Sequence, residues 1–412
     1  MYGVTKLHDV TYTDPAVPLL SDEVICLRAN ETLPLLVEFT VAVDATAGEY
    51  PIVLSLLGAD GAEVAAAEIT LHVWDFTMPI ERTFQTTVHT MAAPRAAHYD
   101  LLLDHNFCAR MLPVDILSDE ADAYMSDPRV TCFFQLGVGD DAYLKAIYEK
   151  LKDHPKWLEK ACFYALDEPR TLEMAQKLKE ACERLRSLCP GFSITAPFYT
   201  NVQIDEDTDQ IEFMKGLIDI HCPKLSCWED ENIYSSEQAE KYPSFAARMR
   251  ENQAWGDKVW AYVCNTPAAP YLSLRLDDDG LGSRVLFWQM YQREIDGFLY
   301  WNATYYDRLP EKDPWKCLDT FGDEIYGDGI LIYPGEPVGV DGPVASLRLK
   351  IARDGVDDIE LFYLAEKLLG RDWVMERVNR ATSSLTSVDV NEDGFYALRV
   401  EIGNAVEAEM KK

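Results

Sequence analysis

No run of about 20 apolar residues occurs in this 412-residue chain, so no helical membrane span is expected. The opening residues Met1–Asp9 lack the apolar centre of a signal peptide, and a cytoplasmic location is expected. Positive charge is scarce: 38 Lys plus Arg face 70 Asp plus Glu, for a net charge of −32. Nucleic acid and anionic membrane are therefore excluded as partners, because phosphate binding needs clustered Lys and Arg. The ten cysteines include no C-x-x-C pair. Several, such as Cys132, Cys162 and Cys264, sit in apolar strand-like runs, as reduced buried thiols do. No H-E-x-x-H, no G-x-S-x-G and no phosphate-loop spacing is present. Asp389–Gly394 imitates the start of a calcium loop, but its twelfth position is Val400 instead of Glu. Asp277-Asp278-Asp279-Gly280 reads as a turn or helix cap. No metal site and no cofactor are expected, and the oligomeric state is left open.

What is present falls into three parts. Residues 1–82 alternate apolar and polar side chains in short runs (Leu36–Val43, Tyr50–Leu57, Glu63–Val73), with a turn signal at Ala59-Asp60-Gly61. This predicts an N-terminal antiparallel β-sandwich, an incomplete one because Met1–Asn30 is weakly patterned. Residues 83–345 alternate strand-like and helix-like segments. The expected strands are Phe84–Thr90, Ala109–Pro113, Val130–Leu136, Ala161–Leu166, Ser193–Tyr199, Leu217–His221, Lys258–Cys264 and Gly297–Asn302. Helices are expected over Ala142–Lys152, Leu172–Leu188, Ser236–Gln253 and Ser283–Gln292. The count and spacing predict a central (β/α)8 TIM-like barrel. Residues 346–412 read as C-terminal helices packed on it: Leu347–Arg353, Asp357–Leu369, Asp372–Leu385 and Phe395–Met410. The fold class is thus multidomain α/β.

The most informative segment is Phe163–Arg170. Its apolar run ends in adjacent carboxylates, Asp167 and Glu168, and Pro169 then stops the strand. Carboxylates at the end of a buried strand are costly unless they are hydrogen-bonded or used. In a barrel, active sites form at that end, and paired carboxylates are the working groups of glycoside hydrolysis. A helix cap is the structural alternative for the same residues.

The other strand ends carry His89, Tyr199, Tyr262 with Asn265, and Trp301 with Asn302, while Trp228 follows the sixth strand. Core packing explains any one of these aromatics. Together they have the composition of a sugar pocket, in which ring planes stack on C–H faces and amides bind hydroxyls.

Four stretches resemble glycoside hydrolase family 123, the β-N-acetylgalactosaminidase family: Phe163–Pro169, Arg284–Asn302, Gly327–Gly335 and Ser346–Glu360. The resemblance runs in order over about residues 35–370. It implies a retaining, substrate-assisted hydrolase acting on terminal 2-acetamido sugars of glycans. Glu168 would be the general acid/base, and Asp167 would orient the acetamido group whose carbonyl oxygen is the nucleophile. Glu168 must hold a proton to act as acid, which burial and the Asp167 charge would both favour. Tyr199, Trp228, Tyr262, Asn265, Trp301 and Asn302 are the expected substrate contacts. The charge of −32 predicts neutral glycans over sulfated or sialylated ones. The rival expectations are a glycosidase of the same fold with another sugar specificity, and a non-catalytic carbohydrate-binding relative.

Overall fold

A computed structural model describes residues 5–7, 10–19, 24–26, 29–30, 32–90, 95–136, 140–307, 309, 312–322 and 325–412. Its centre is a parallel sheet of eight strands. These are β1 (Gln85–Val88), β2 (Cys108–Ala109), β3 (Phe133–Leu136), β4 (Ala161–Tyr164), β5 (Ser193–Phe198), β6 (Ile220–Pro223), β7 (Lys258–Val263) and β8 (Gly297–Tyr300). The spatial order is β2-β1-β8-β7-β6-β5-β4-β3, with every neighbouring pair parallel.

The sheet curls until β2 and β3 nearly meet. No ladder joins them, because β2 is two residues long. Single bonds bridge the seam instead: Phe134 N–H donates to Arg110 O at 2.8 Å, and Thr131 N–H to Cys108 Sγ at 3.2 Å. Six of the eight expected strands contain an observed one, while the second shares only Ala109 with its observed strand and the sixth only Ile220–His221. The sixth begins later than expected because Leu217 turns back to bond Met214 O, with Gly216 at φ 71°. Helices cover the outside. Leu172–Leu188, capped by Thr171 accepting from Met174 N–H, buries Ala175, Leu178, Cys182, Leu185 and Leu188 at helical spacing.

Two helix expectations are corrected. Ser236–Gln253 is two helices, Ser236–Lys241 and Phe245–Trp255, because Pro243 breaks the run and Ser244 caps a fresh start. Leu347–Arg353 and Asp357–Leu369 are one helix, Leu347–Leu369. Gly355 inside it is retained because a Cβ there would sit 2.4 Å from Phe287 Cδ2. The calcium-loop imitation is a cap: Asn391 accepts from Gly394 N–H and opens the helix Glu392–Met410.

The expected sandwich has a different form. One antiparallel hairpin, Gly48–Leu57 with Glu63–Val73, is present, and its side chains are mostly exposed. Among the described residues no second sheet packs on it, and Leu36–Val43 forms no strand. Alternation with period two specifies a strand, but it does not supply the layer that covers its apolar face.

After β8 the chain makes a short antiparallel pair, Ile332–Pro334 with Pro343–Ala345. A small core of Leu276, Leu309, Leu318, Ile330, Tyr333 and Val344 holds it. Buried Arg348 clamps this region, donating to Asp14 and to the carbonyls of Leu274, Gly327 and Ile330. The result fixes residues 327–330 at the carboxyl end of β8. No helix among the described residues is long and apolar enough to cross a membrane.

Candidate active site

The carboxyl end of β4 builds the acid pair. Tyr164 closes the strand, and its hydroxyl donates to Asp167 Oδ1 at 2.6 Å. Asp167 is exposed and Glu168 half-buried. Glu168 adopts φ 41°, a left-handed conformation unusual for a non-glycine residue and costing about 1–3 kcal/mol. That turn separates the two side chains. Glu168 Oε1 accepts from Tyr262 OH at 2.6 Å, from the far side of β5 and β6. Burial, reinforced by the Glu168 charge, pushes the Tyr262 phenol well above its ordinary range, so it remains a donor. Among the described residues nothing occupies Asp167 Oδ2 or Glu168 Oε2 with a hydrogen bond.

The ends of β7 and β8 flank this pair. Burial raises the Cys264 thiol to about 11, with the Asp328 and Glu168 charges adding to it, so both carboxylates bear on the end of β7. Asn265 is half-buried and its Oδ1 accepts from Cys264 Sγ at 3.3 Å. Trp301 Nε1–H donates to Asp328 Oδ1 at 2.9 Å, and Tyr300 OH donates to the same oxygen at 3.0 Å. Gly329, at φ 76°, lies flat against the Trp301 ring; a Cβ there would meet Cζ2 at 2.4 Å. Tyr305 and Phe321 complete an aromatic group around Trp301, with centroids 4.8 and 5.7 Å away. Asp328 is 1 % exposed, and burial raises its carboxyl to about 6.

The remaining expected contacts differ in kind. Tyr199 OH accepts from Arg170 at 3.1 Å, and Lys224 Nζ covers one ring face at 4.5 Å. Trp228 sits edge-on to Phe245, 5.4 Å between centroids, which ties it to the helix Phe245–Trp255. Asn302 is buried, and its Oδ1 accepts from Thr304 N–H at 2.8 Å, the bond of a turn. The direct link within the expected set is therefore Glu168 to Tyr262.

Sequence reasoning passed over Arg110, Tyr164 and Asp328. Arg110 follows a two-residue strand with little pattern. Tyr164 lies inside an apolar run that reads as core. Asp328 is 160 residues from Glu168 in sequence, within a Gly-Asp-Gly turn that has no phosphate-loop spacing. Two cavities lie away from the acid pair. One of about 510 Å3 opens at the amino ends of the strands, lined by Gln85, Thr131, Lys160, Lys258 and Asp296. Another, about 410 Å3, lies between Leu33–Glu38 and Leu347 with Lys350. Neither contains a carboxylate of the pair. Among the described residues no group of three or more His, Cys, Asp or Glu could hold a metal ion.

A family model described as "Glycoside hydrolase 123, catalytic domain" matches residues 139–365, more than half of the chain. Among solved structures, a family 123 glycoside hydrolase from Clostridium perfringens, described for glycolipid glycan hydrolysis, is similar at 17% identity and a TM-score of 0.43. That match covers 66% of this chain and 44% of the other, so the chain spans less than half the length of that relative. A glucosidase from Croceicoccus marinus matches at 11% identity and a TM-score of 0.35, covering 68% of each chain. A glycosyl hydrolase family 2 member from Bacteroides cellulosilyticus matches at 12% identity and a TM-score of 0.28, covering 61% of this chain and 34% of the other. No curated protein sequence matches the chain.

Proposed function

This chain belongs to glycoside hydrolase family 123, and on that premise we propose that it is a retaining glycoside hydrolase releasing terminal β-linked N-acetylgalactosamine from glycans. The catalytic unit is residues 83–345, with the helices of residues 346–412 supporting it. Glu168 is the general acid/base. Asp167 holds the N–H of the 2-acetamido group and balances the positive charge that develops there.

The observation that supports this reading is the divergence of two adjacent carboxylates. Asp167 Oδ1 is held by Tyr164 and Glu168 Oε1 by Tyr262, at 2.6 Å each. Each acid thus keeps one oxygen for substrate. Chemistry with an external carboxylate nucleophile needs two acids about 5 Å apart across the glycosidic bond. Neighbours in sequence suit a different division of labour. The acetamido carbonyl oxygen attacks the anomeric carbon while the second oxygen of Glu168 gives its proton to the departing oxygen. Water then opens the oxazoline, and Glu168 takes a proton back. Both attacks are on the anomeric carbon from opposite faces, so configuration is retained. Trp301 and Tyr262 wall the sugar, with Asn265, Tyr199 and Trp228 as further contacts. Asn302 supports the turn behind Trp301.

The test is hydrolysis of aryl 2-acetamido glycosides of galacto and gluco configuration, in both anomeric forms. Turnover confined to the β-galacto compound supports the assignment. Preference for the gluco compound assigns another sugar, and binding without turnover makes the chain a carbohydrate-binding relative.

A further inference from the structure

At the carboxyl ends of β1 and β2, three buried hydrogen-bond donors have no acceptor among the described residues. Arg110 follows β2 and lies over the Tyr164 ring, its Cζ 4.2 Å from the centroid. One guanidinium nitrogen, Nη1, bonds His89 Nδ1 at 2.7 Å. A guanidinium only donates, so Nδ1 is the acceptor and the proton of the neutral imidazole is on Nε2. Burial, then the Arg110 charge, hold His89 well below its ordinary pKa, consistent with that neutral form. His89 Nε2, Arg110 Nε and Arg110 Nη2 are all buried and, among the described residues, without a hydrogen-bond partner. Buried donors are rarely left this way in native proteins.

Two buried arginines give these donors a meaning. Arg284 uses its Nε/Nη2 edge to grip both oxygens of Asp358, at 2.8 and 2.9 Å. Arg348 uses the same edge on Asp14, at 3.0 and 2.9 Å. That edge is the planar fork that matches a carboxylate or sulfate bidentately. In Arg110 it is empty. Asp167 is the carboxylate whose charge bears on Arg110, yet among the described residues it makes no ion pair with it.

We propose that the Nε/Nη2 edge of Arg110, with His89 Nε2–H, is an oxyanion subsite of the active centre, and that the glycan substrate carries a sulfate ester or carboxylate that fills it. This rests on the glycosidase reading of the Asp167/Glu168 site. It reverses the preference for neutral glycans expected from the net charge of −32. Long-range repulsion from surface acids is screened over about 8–10 Å at ordinary ionic strength, whereas a bidentate contact acts at hydrogen-bond distance in a buried site.

Three matched aryl β-N-acetylgalactosaminides test it: unsubstituted, O-sulfated at C6, and oxidised to the C6 carboxylate. Inorganic sulfate, titrated calorimetrically into the full-length protein, is a probe independent of turnover. The wild type should prefer one anionic substrate over the neutral one by about tenfold or more in kcat/KM, with the two anionic arms telling sulfate from carboxylate. Arg110→Gln should lower that ratio to one or below and abolish sulfate binding. Arg110→Lys keeps the charge but not the fork, and should recover less than half of the preference; full recovery would mean that only the charge matters and would overturn the bidentate site. Turnover of the neutral compound with no anionic preference and no sulfate binding overturns the subsite and leaves the glycosidase reading standing. Sulfate binding lost in Arg110→Gln, with no glycoside turned over, supports the subsite and overturns the glycosidase reading. Should the Gln variant misfold, the substrate ratio and sulfate titration on the wild type still decide between these outcomes.

Discussion

Tyr262 Oη lies 2.6 Å from Glu168 Oε1, joining the end of β7 to the turn after β4 across two intervening strands. The phenol keeps its proton, since burial and the Glu168 charge both oppose its loss. One Glu168 oxygen is therefore held by a donor that keeps its proton. Tyr262→Phe removes the donor and leaves the ring. A hydrogen bond to a charged group contributes about 1.5–3 kcal/mol, so kcat/KM should fall by about ten- to a hundredfold. Michaelis kinetics on an aryl glycoside measure this, and a loss under twofold would show that Tyr262 does not position the acid.

The two acids should respond differently to the leaving group. Glu168→Gln should cripple hydrolysis of glycosides with poor leaving groups and spare activated aryl glycosides, which need little protonation. Asp167→Asn should damage both kinds, because it removes acetamido stabilisation. Equal and small losses for all four combinations of variant and substrate would falsify the assignment.

If the acetamido group is the nucleophile, a thiazoline analogue of the cyclised sugar should inhibit as an intermediate mimic. Such analogues bind at least about 10²-fold tighter than substrate. The matching 2-hydroxy galactoside should be nearly inert. Efficient hydrolysis of that galactoside would instead point to an enzymic carboxylate nucleophile.

Asp328 sets a pH dependence of stability. Its carboxyl is raised from an ordinary 3.8 to about 6 by burial. Between those values the native state binds the proton and the unfolded state does not. Stability is therefore highest at the acid side of the window and falls as pH rises from about 4 to 6. The loss approaches about 3 kcal/mol at about 1.4 kcal/mol per pH unit. Asp328→Asn should flatten this part of the curve while keeping an acceptor for Trp301. Urea melts at pH 4.5 and 7 compare the two proteins, and an unchanged slope in the variant would clear Asp328 of the effect.

Asp358, 0 % exposed, accepts from Arg284, Arg399 and Trp288. Asp358→Ala strands the Arg284 charge in the interior and should cost about 3–5 kcal/mol. Chemical denaturation reads the loss, which should appear before any change in the sugar preference of the folded enzyme.

Much of the barrel was legible because period and punctuation carry it. Leu172–Leu188 was readable to the residue, since Thr171 caps it and its apolar spacing is helical. Ser236–Gln253 was misread where a proline outweighed a continuous periodic pattern, and Leu347–Leu369 was split at a glycine whose reason lies in Phe287, far away in sequence. The N-terminal alternation announced strands and a hairpin formed, but pattern could not say what would cover it.

Asp167 and Glu168 stood out in the chain because charge at the end of an apolar run is costly and so conspicuous. Local sequence determined that pair, the strands that carry it and most of the helices behind them, because these follow from neighbours within a few residues. What the pair touches was decided by tertiary structure alone. Tyr262 reaches Glu168 only when the sheet curls, Asp328 reaches Trp301 only when Arg348 clamps the loop after β8, and Arg110 meets His89 only when β1 pairs with β2. These contacts join residues that are 21 to 94 positions apart. Strand pairing, the curl of the sheet and the clamped loop set their geometry, and no periodicity in the chain encodes it.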